Sequence, residues 1–289
     1  MADILRGNEI FRVRPPEPLI EGVLDVDSTV LFYGSKGVGK SVMGLDWACS
    51  IATGKAWDGH RVNRGKVIYI LGEGLTGTVE RYRAWLRHHQ VDEVRDIVWV
   101  TEAFNIFHNK DRDELMQLVT DEQPNLTVFD TIARHMTGHD ENAPADMSEM
   151  AEVLEQVKRF SGGCALGIHH PGKNESAGSR GHTCLTASVD TELHYRKDRT
   201  LFVEKQRNHP DHIVLGRYEL IRVGSSVVAS RVGDWRGTML ELLPPEGLTG
   251  PEWMKVADLK RSTFYDRVAI LIREGLVTDT DDRYRSAPN

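Results

Sequence analysis

A glycine-rich turn followed by a lysine and a serine offers the clearest chemistry in this sequence. Residues 34–41, GSKGVGKS, match the pattern GxxxxGK[ST]. An apolar stretch precedes the turn and a segment with helical spacing follows it, which is the context that the pattern requires. Backbone N–H groups of such a turn, together with the N-terminus of the next helix, surround phosphate groups. The stretch therefore predicts a nucleoside triphosphate site.

The pattern also assigns roles to individual residues. Lys40 would reach the β- and γ-phosphates of ATP, and the Ser41 hydroxyl would bind Mg²⁺. The alternative is an accidental lysine in a glycine-rich turn, but a chance match in a chain of this length is expected only on the order of one time in a hundred. The residues predicted to contact the nucleotide are Gly34, Ser35, Lys36, Gly37, Val38, Gly39, Lys40, Ser41 and Val42.

Two carboxylates follow apolar stretches elsewhere in the chain. Asp130 ends LTVFD, and a carboxylate at the C-terminal edge of a parallel sheet can hold Mg²⁺. Glu73 follows VIYIL and lies between two glycines, where it can orient and polarise the attacking water. The plainer alternatives are an aspartate that starts a loop and a solvated turn glutamate.

Two cations near the end of a predicted strand could also contact a phosphate. Lys205 and Arg207, in TLFVEKQRNHP, are two residues apart, so the strand period of two places them on the same face. Cations that converge in this way can meet a phosphate group. The alternative is that both are solvated at the strand end.

Apolar periodicity predicts the elements that must position these residues. Patterns of buried strands alternate with helical spacing or with glycine and proline, which predicts a doubly wound, mainly parallel sheet in an α/β fold. The predicted strands lie at residues 29–33, 67–71, 97–100, 126–129 and 164–168. Alternating segments that predict antiparallel strands at the sheet edge lie at 200–207, 212–223 and 226–232.

The chain divides into three predicted parts. Residues 1–28 contain several prolines and little periodicity, and they predict an N-terminal arm. Residues 29–242 form the predicted ATPase core. Residues 247–289 follow a linker rich in proline and glycine, and they predict a small winged-helix-like module.

The C-terminal module has a predicted helix and a predicted wing. Ser262 or Thr263 is the expected cap of the helix, Gly275 is expected to end it, and a polar hairpin follows. Several basic residues cluster near this helix, which would allow contact with duplex DNA, although a packing or protein-docking module is the alternative. They are Lys260, Arg261, Arg267 and Arg273.

Several of these motifs together resemble a known family. The glutamate of GEG, Asp130 and the pair His169 and His170 in GIHHPGK resemble the RecA-like ATPases, specifically the plasmid RepA-type and phage replicative helicases that share a core with DnaB. The stretch DENAPADMSEMAEVLEQ is also similar to this family, and the resemblance covers about residues 19–232. It implies a RecA-like core in which Glu73 is the catalytic base and His169 or His170 senses the γ-phosphate.

The resemblance also implies an assembly. KQRN is similar to the KxR element of DnaB-type proteins, whose lysine and arginine reach the nucleotide bound to the adjacent subunit. Lys205 and Arg207 would then act on a neighbour's ATP, and the chain would form a homo-oligomeric ring, in this family usually a hexamer. Nothing in the sequence resembles the DnaB N-terminal collar or a fused primase domain, so a separate primase or loader would be a further partner.

Ring motors of this kind bind single-stranded nucleic acid through loops that face the central channel. The segments 132–146 and 171–188 are the two candidates, because they follow Asp130 and His170. The second carries Lys173 and Arg180 among small residues, as a phosphate-binding loop would. An ordinary surface loop is the alternative.

Composition limits the partners and the location. The net charge of −7 excludes a protein that coats nucleic acid by bulk charge and predicts local contacts only. Three cysteines without a CxxC pair predict neither a disulfide framework nor a zinc cluster. Since no run of about 18 apolar residues occurs, we expect no membrane span and a cytoplasmic protein.

These features predict an ATP-dependent, ring-forming DNA helicase or translocase that acts on single-stranded DNA in phage or plasmid replication. Two alternatives remain open. One is a RecA-like recombination or repair ATPase that forms filaments on DNA. The other is an ATP-controlled switch that binds a specific duplex through the C-terminal module.

Overall fold

A computed structural model gives the fold of most of the chain. It describes residues 5–13, 15–72, 74–170, 180–233, 239–257, 259, 261–273, 275–280 and 282–287. The chain forms two compact units, Met1–Ser230 and Arg231–Asn289.

The first unit is built on one large twisted sheet. Its strands, with a short N-terminal ribbon (β1 and β2), are β1 Pro18–Ile20, β2 Leu24–Asp25, β3 Ser28–Tyr33, β4 Val67–Leu71, β5 Ile97–Val100, β6 Leu126–Asp130, β7 Cys164–His169, β8 Thr191–Tyr195, β9 Thr200–Gln206, β10 Ile213–Val223 and β11 Ser226–Arg231. Nine of them form a sheet in the order β11-β10-β9-β8-β3-β7-β6-β4-β5. The strands from β8 to β5 pair in parallel, whereas β8 with β9 and β9 with β10 pair antiparallel.

Helices flank this sheet and connect its parallel strands. They are α1 Lys40–Thr53, α2 Leu75–His89, α3 Asn109–Glu122, α4 Pro144–Ser161 and α5 Arg180–Ser188, with short 3₁₀ helices at Gly7–Arg12 and Ile132–His135. Parallel strands need such crossover connections because a tight turn cannot join them. A mainly parallel sheet with helices between its strands and antiparallel strands at one edge is the RecA-like P-loop architecture, so the prediction of the fold class is confirmed.

Each face of the sheet has its own hydrophobic core, as the strand period of two requires. Phe32 and Tyr69 pack with α1, α2 and the N-terminal ribbon on one face. Leu31, Ile68 and Phe129 pack with α3 and α4 on the other face. Burial on both faces explains why these strands are nearly continuous apolar runs and why the sequence predicts them well.

The N-terminal ribbon differs from the predicted arm. Leu19 and Ile20 are buried within the core of the first unit, and Asn63 donates a backbone hydrogen bond to the Leu19 carbonyl. The ribbon is therefore part of the ATPase core. Ile10 and Phe11, which precede it, are exposed in the 3₁₀ helix.

Two further segments differ from the predictions. The segment 171–188 is predicted to be a loop, but residues 180–188 form α5, and Leu185 is buried in the core. Strand β8 was not predicted, because its five residues TELHY alternate between buried and half-buried positions after a segment rich in glycine and serine. It pairs in parallel with β3 and thereby extends the parallel sheet.

The second unit has a separate small core. Its elements are α6 Gly250–Val256, α7 Arg261–Arg273, β12 Val277–Thr280 and β13 Arg283–Ser286. Trp253, Phe264 and Leu271 are fully buried, and Thr249 and Glu252 form a capping box at the start of α6. The helix followed by a polar hairpin is as predicted. The predicted cap is wrong, because α7 begins at Arg261 and so contains Ser262 and Thr263.

Among the helices that the structure describes, none combines the length and the apolar composition needed to cross a membrane.

Candidate nucleotide site

The predicted site residues follow four neighbouring strands of the sheet. β3, β7, β6 and β4 are adjacent and parallel, so their C-terminal ends lie along one edge. Tyr33 pairs with His169, and Asp130 pairs with Leu71. Residues that follow these strands are therefore brought together although they are far apart in the sequence. This is the edge at which parallel α/β sheets bind ligands.

The phosphate loop follows β3 and ends at the N-terminus of α1. Gly37 and Gly39 have φ of +80° and +112°, values that L-residues rarely adopt, and Gly39 is the residue that precedes the helix. A Cβ atom on Gly34 would lie 2.1 Å from the Tyr195 carbonyl oxygen. The first glycine of the motif is therefore needed because β8 approaches the loop closely.

Lys40 lies inside this loop with 3% of its surface exposed. Its Nζ donates hydrogen bonds to the carbonyls of Gly34 at 2.5 Å and Ser35 at 3.0 Å, and it lies 2.6 Å from His170 Nδ1. Because an ammonium group only donates, Nδ1 of His170 is the acceptor, so the ring is neutral with its proton on Nε2. The lysine is thus held by two loop carbonyls and a histidine nitrogen at the position where a phosphate would bind.

Asp130 connects β6 with the phosphate loop. Its Oδ1 accepts a hydrogen bond from Ser41 Oγ at 2.9 Å, and its Oδ2 accepts one from the Tyr69 hydroxyl at 2.8 Å. Burial raises the pKa of this carboxyl, against the two hydrogen bonds and the charges of Arg81 and Lys40, which lower it. A buried carboxylate with a raised pKa gains most from a nearby cation.

The donors at this point fit Mg²⁺. Ser41 and Asp130 supply a hydroxyl and a carboxylate oxygen within hydrogen-bond distance of each other, and hard oxygen ligands of this kind suit that ion. The ion itself binds through few protein ligands when a phosphate supplies the others. Ser41 and Asp130 are accordingly the residues that would hold it.

The two histidines at the end of β7 face different partners. His170 lies against Lys40, whereas His169 is 2% exposed and places its Nδ1 3.5 Å from Oε2 of Glu141. Of the two, His170 is therefore the one that lies at the phosphate loop. The sequence left this choice open because both residues occupy the same strand end.

The predicted water-orienting residue, Glu73, lies outside the described residues. On one side of it, Gly72 donates its N–H to the Asp130 carbonyl at 2.8 Å. On the other side, Gly74 precedes α2 with φ of +71°. The chain therefore passes the Asp130 strand end immediately before Glu73, and the role of Glu73 remains a prediction.

Lys205 and Arg207 lie away from the phosphate loop of their own chain. Gln206 of β9 pairs with Thr191 of β8, and Thr191 pairs with Val30 of β3. Val30 precedes Gly34 by four residues, which is about 13 Å along an extended strand. Lys205 Nζ donates to the carbonyls of Thr186, Ala187 and Val189, and thereby caps the C-terminal end of α5. Arg207 forms an ion pair with Asp190 at 2.6 Å. Within one chain, the two cations therefore contact the neighbouring residues Val189 and Asp190, and their role at a nucleotide remains a prediction.

The residues predicted to bind nucleic acid are only partly described. Lys173 lies outside the described residues, and Arg180 is the first residue of α5. In the other candidate segment, residues 137–140 are exposed, whereas His135 is buried and its pKa is lowered to about 4 by that burial. Across the described part of the chain, no cluster of three or more His, Cys, Asp or Glu residues is arranged to hold a metal.

Three contacts to the site were not predicted. Tyr69 binds Asp130, Arg199 Nε donates to the Val38 carbonyl at 3.2 Å, and the Leu220 side chain lies 3.2 Å from where a Cβ on Gly39 would be. The position of Tyr69 could have been predicted from the strand period, because alternate residues of β4 face α1. Arg199 and Leu220 come from the antiparallel edge, and no sequence spacing connects them to the loop.

Comparison with known protein families identifies the family of this chain. A family model described as an AAA domain matches residues 3–176, which is more than half of the chain and includes Lys40, Ser41, Asp130, His169 and His170. No curated protein matches the sequence.

Proposed function

We propose that this chain, which belongs to the AAA domain family, is a ring-forming motor that uses ATP hydrolysis to move along single-stranded DNA, as a helicase or translocase of phage or plasmid replication. Family membership makes it a P-loop NTPase. The finer statements, namely the motion on DNA, the ring and the replicative role, are our proposal. The resemblance of GIHHPGK and KQRN to the helicase group supports them.

The observation that supports hydrolysis best is the joining of Lys40, Ser41 and Asp130 at one sheet edge. With ATP bound, Lys40 would exchange the loop carbonyls for phosphate oxygens. Mg²⁺ held by Ser41 and Asp130 would neutralise charge on the phosphates. Glu73, which follows the neighbouring strand, is the proposed base that orients the attacking water.

The positions of Lys205 and Arg207 support a shared active site. They lie towards the N-terminal ends of the parallel strands, whereas the phosphate loop follows the C-terminal end of β3, which favours a role at the nucleotide of a neighbouring chain. The Arg207 side chain is 63% exposed beyond its ion pair. A role in hydrolysis would then involve a second protomer, and a head-to-tail arrangement of protomers closes into a ring or continues as a filament.

The test is steady-state ATPase activity with and without single-stranded DNA, in mixtures of wild type and Arg207→Ala at increasing ratio. We expect DNA to stimulate hydrolysis and the variant to reduce wild-type activity by more than dilution, because each inactive arginine disables a neighbour's site. Arg95→Ala is the matched control, since Arg95 is also an exposed arginine paired with a carboxylate, Glu93, at 2.7 Å. It should dilute activity only in proportion.

The outcomes separate the alternatives. Loss in proportion to dilution, with no effect of DNA, would contradict the motor and favour a switch that binds duplex DNA. Stimulation by DNA with poisoning of the wild type supports either a ring or a filament. Strand unwinding and a closed oligomer of fixed mass then indicate a helicase, whereas open filaments without unwinding indicate a recombination or repair ATPase.

A further inference from the structure

A buried carboxylate lies beside the two cations at the end of β9. Asp190, which directly precedes β8, is 6% exposed, and its Oδ1 forms the ion pair with Arg207 at 2.6 Å. The Arg207 side chain is 63% exposed although one of its terminal nitrogens is bound in this way. Asp190 thus holds one part of an arginine whose remaining surface faces solvent.

The carboxylate itself is fixed by the body of the first unit. Its Oδ2 accepts hydrogen bonds from the Thr29 N–H at 3.0 Å and the Thr29 hydroxyl at 3.2 Å, and Lys158 Nζ of α4 lies 3.5 Å away. Burial alone would raise the pKa of Asp190. The backbone hydrogen bond from Thr29 and the positive charges of Lys158 and Arg207 outweigh that effect and hold the pKa below its usual range. Asp190 is therefore an ionised carboxylate with one oxygen bound to β3 and α4 and the other to the arginine.

The same short stretch of chain also positions Lys205. Lys205 Nζ donates to the carbonyl of Val189 at 2.6 Å, and the Arg207 N–H donates to the carbonyl of Asp190 at 3.2 Å. The orientation of a group that must meet a phosphate matters, because a misplacement of about 1 Å can cost on the order of a hundredfold in rate. An arginine suits such a position, since its planar fork can bind a carboxylate with one nitrogen and offer the others to a phosphate.

We propose that Asp190 is a positioning residue that holds the Arg207 guanidinium in the orientation needed to contact the triphosphate bound to a neighbouring protomer. This inference rests on the proposed function, because it requires a shared site. Asp190 acts through Arg207 and does not touch the nucleotide. Its loss should therefore impair the neighbour's site and leave the phosphate loop of its own chain competent.

The experiment mixes two impaired variants of the full chain, Asp190→Asn and Lys40→Ala, and measures steady-state ATPase activity. Asp190→Asn removes the charge that holds the arginine, so alone it should be slower by about tenfold or more. Lys40→Ala loses the phosphate loop but keeps its cations. In an equal mixture, about a quarter of the head-to-tail sites combine an intact loop with intact cations. About a quarter of the wild-type activity should therefore return.

Two controls accompany this mixture. Arg207→Ala mixed with Lys40→Ala should show the same return of activity. Asp25→Asn is the matched control, because Asp25 is also a buried carboxylate, 4% exposed, and its partner is His209 at 3.0 Å. Asp25→Asn should keep activity within about twofold of wild type and should only dilute the wild type in mixtures.

Two further variants separate positioning from a general loss of structure. The double variant Asp190→Asn, Arg207→Ala should be no slower than Arg207→Ala, because a residue that acts only through the arginine adds nothing once the arginine is absent. Asp190→Glu keeps the charge but is one methylene longer, so it should lose less activity and should also be restored by Lys40→Ala. If circular dichroism shows that Asp190→Asn does not fold, the mixture of Asp190→Glu with Lys40→Ala decides.

The results distinguish the failure of this inference from the failure of the proposed function. If Lys40→Ala restores Arg207→Ala, but the folded Asp190 variants keep full activity or gain nothing from the mixture, the positioning role is overturned and the shared site stands. If Lys40→Ala does not restore Arg207→Ala, the shared site is contradicted and the inference is overturned with it. Return of activity in both mixtures supports both.

Discussion

At the scale of single residues, the nucleotide site uses polar contacts that ATP must replace. Lys40 is held by two loop carbonyls and by His170, and Asp130 is buried with two hydroxyl donors. Such contacts keep buried polar groups satisfied in the absence of ligand. They also oppose binding, because each must break before the lysine reaches a phosphate. The site is thus organised in advance, although Lys40 must be released before it can bind phosphate.

This arrangement predicts an unusual effect of His170→Ala. Removing the acceptor releases Lys40 from one contact, so ADP should bind about 2- to 10-fold more tightly, the effect of one hydrogen bond. ATP hydrolysis should nevertheless slow by about tenfold or more if His170 contacts the γ-phosphate in the reaction. Calorimetric titration with ADP and single-turnover hydrolysis measure the two effects separately.

His88→Ala is the control for that substitution, because His88 is an exposed histidine of α2. It should alter neither ADP affinity nor the hydrolysis rate. Weaker ADP binding by His170→Ala would show that the histidine supports the lysine in its active position. The idea that His170 restrains Lys40 would then be wrong.

At the scale of elements, a buried carboxylate joins the helix of the phosphate loop to its neighbour. Asp46 of α1 accepts hydrogen bonds from the indoles of Trp57 at 2.8 Å and Trp85 of α2 at 2.7 Å. Burial raises the pKa of Asp46 from 3.8 to about 6, although both indole hydrogen bonds lower it. α1 follows the phosphate loop and α2 begins directly after Glu73. The hydrogen bond between Asp46 and Trp85 therefore also fixes the distance between the helices that follow these two parts of the site.

The raised pKa gives a prediction with a definite sign. The folded state binds the Asp46 proton more tightly than the unfolded state, so this stabilisation is complete below pH 4 and is lost as the pH rises through about 6. A difference of about two pKa units corresponds to about 3 kcal/mol. The free energy of unfolding of wild type minus that of Asp46→Asn should therefore fall by about 3 kcal/mol between pH 3 and pH 7.

Urea unfolding at several pH values measures this difference. His89, whose Nε2 lies 3.7 Å from Asp46, has a pKa lowered to about 4 by burial and by the charges of His88 and Lys55. The contribution of His89 to the free energy of unfolding therefore rises with pH, opposite to that of Asp46. Because His89 is present in both proteins, its contribution largely cancels in the difference between them. Asp92→Asn, at an exposed position, should show no such trend. A difference that does not change with pH would refute the role of Asp46.

The same scale shows what the sequence could predict. Strands such as β3 and β4 are buried on both faces, so their composition alone identifies them, and the phosphate loop follows from fixed spacing. The hydrogen bonds of Asp46 could not be predicted, because Trp57 and Trp85 lie 11 and 39 residues away in the sequence and contact Asp46 only in the folded chain. For β8, half-buried alternation after a polar segment gave too weak a signal.

The antiparallel edge shows the same limit. Strands β9 to β11 are predicted from alternation, but their contact with the nucleotide site is not. Arg199, just before β9, and Leu220 of β10 lie against the phosphate loop, beside Tyr195 of β8. Contacts of this kind depend on the order of strands in the sheet. Placement of β8 beside β3 brings the whole edge next to the loop, and local sequence patterns do not encode that order.

At the scale of the whole molecule, the two units have separate hydrophobic cores. The clusters of the first unit end with Ala229, and the cluster of the second unit begins at Met239. Every described residue of the nucleotide site belongs to the first unit. The second unit is small, and its residues 247–289 include seven acidic and seven basic residues, so this stretch has no net charge to attract DNA.

This separation predicts that a chain ending at residue 233 keeps the fold and the basal ATPase activity of the first unit. Its core is complete without the second unit, and domains with their own core can fold alone. We expect basal hydrolysis within about twofold of the full chain and an unchanged ADP affinity, measured beside circular dichroism as a check of folding. If a folded truncated chain hydrolyses ATP much more slowly, the second unit contributes to the nucleotide site. If hydrolysis is kept but stimulation by DNA disappears, the second unit supplies a nucleic-acid contact. If the switch alternative is correct, the truncated chain should lose its response to duplex DNA before its response to single-stranded DNA.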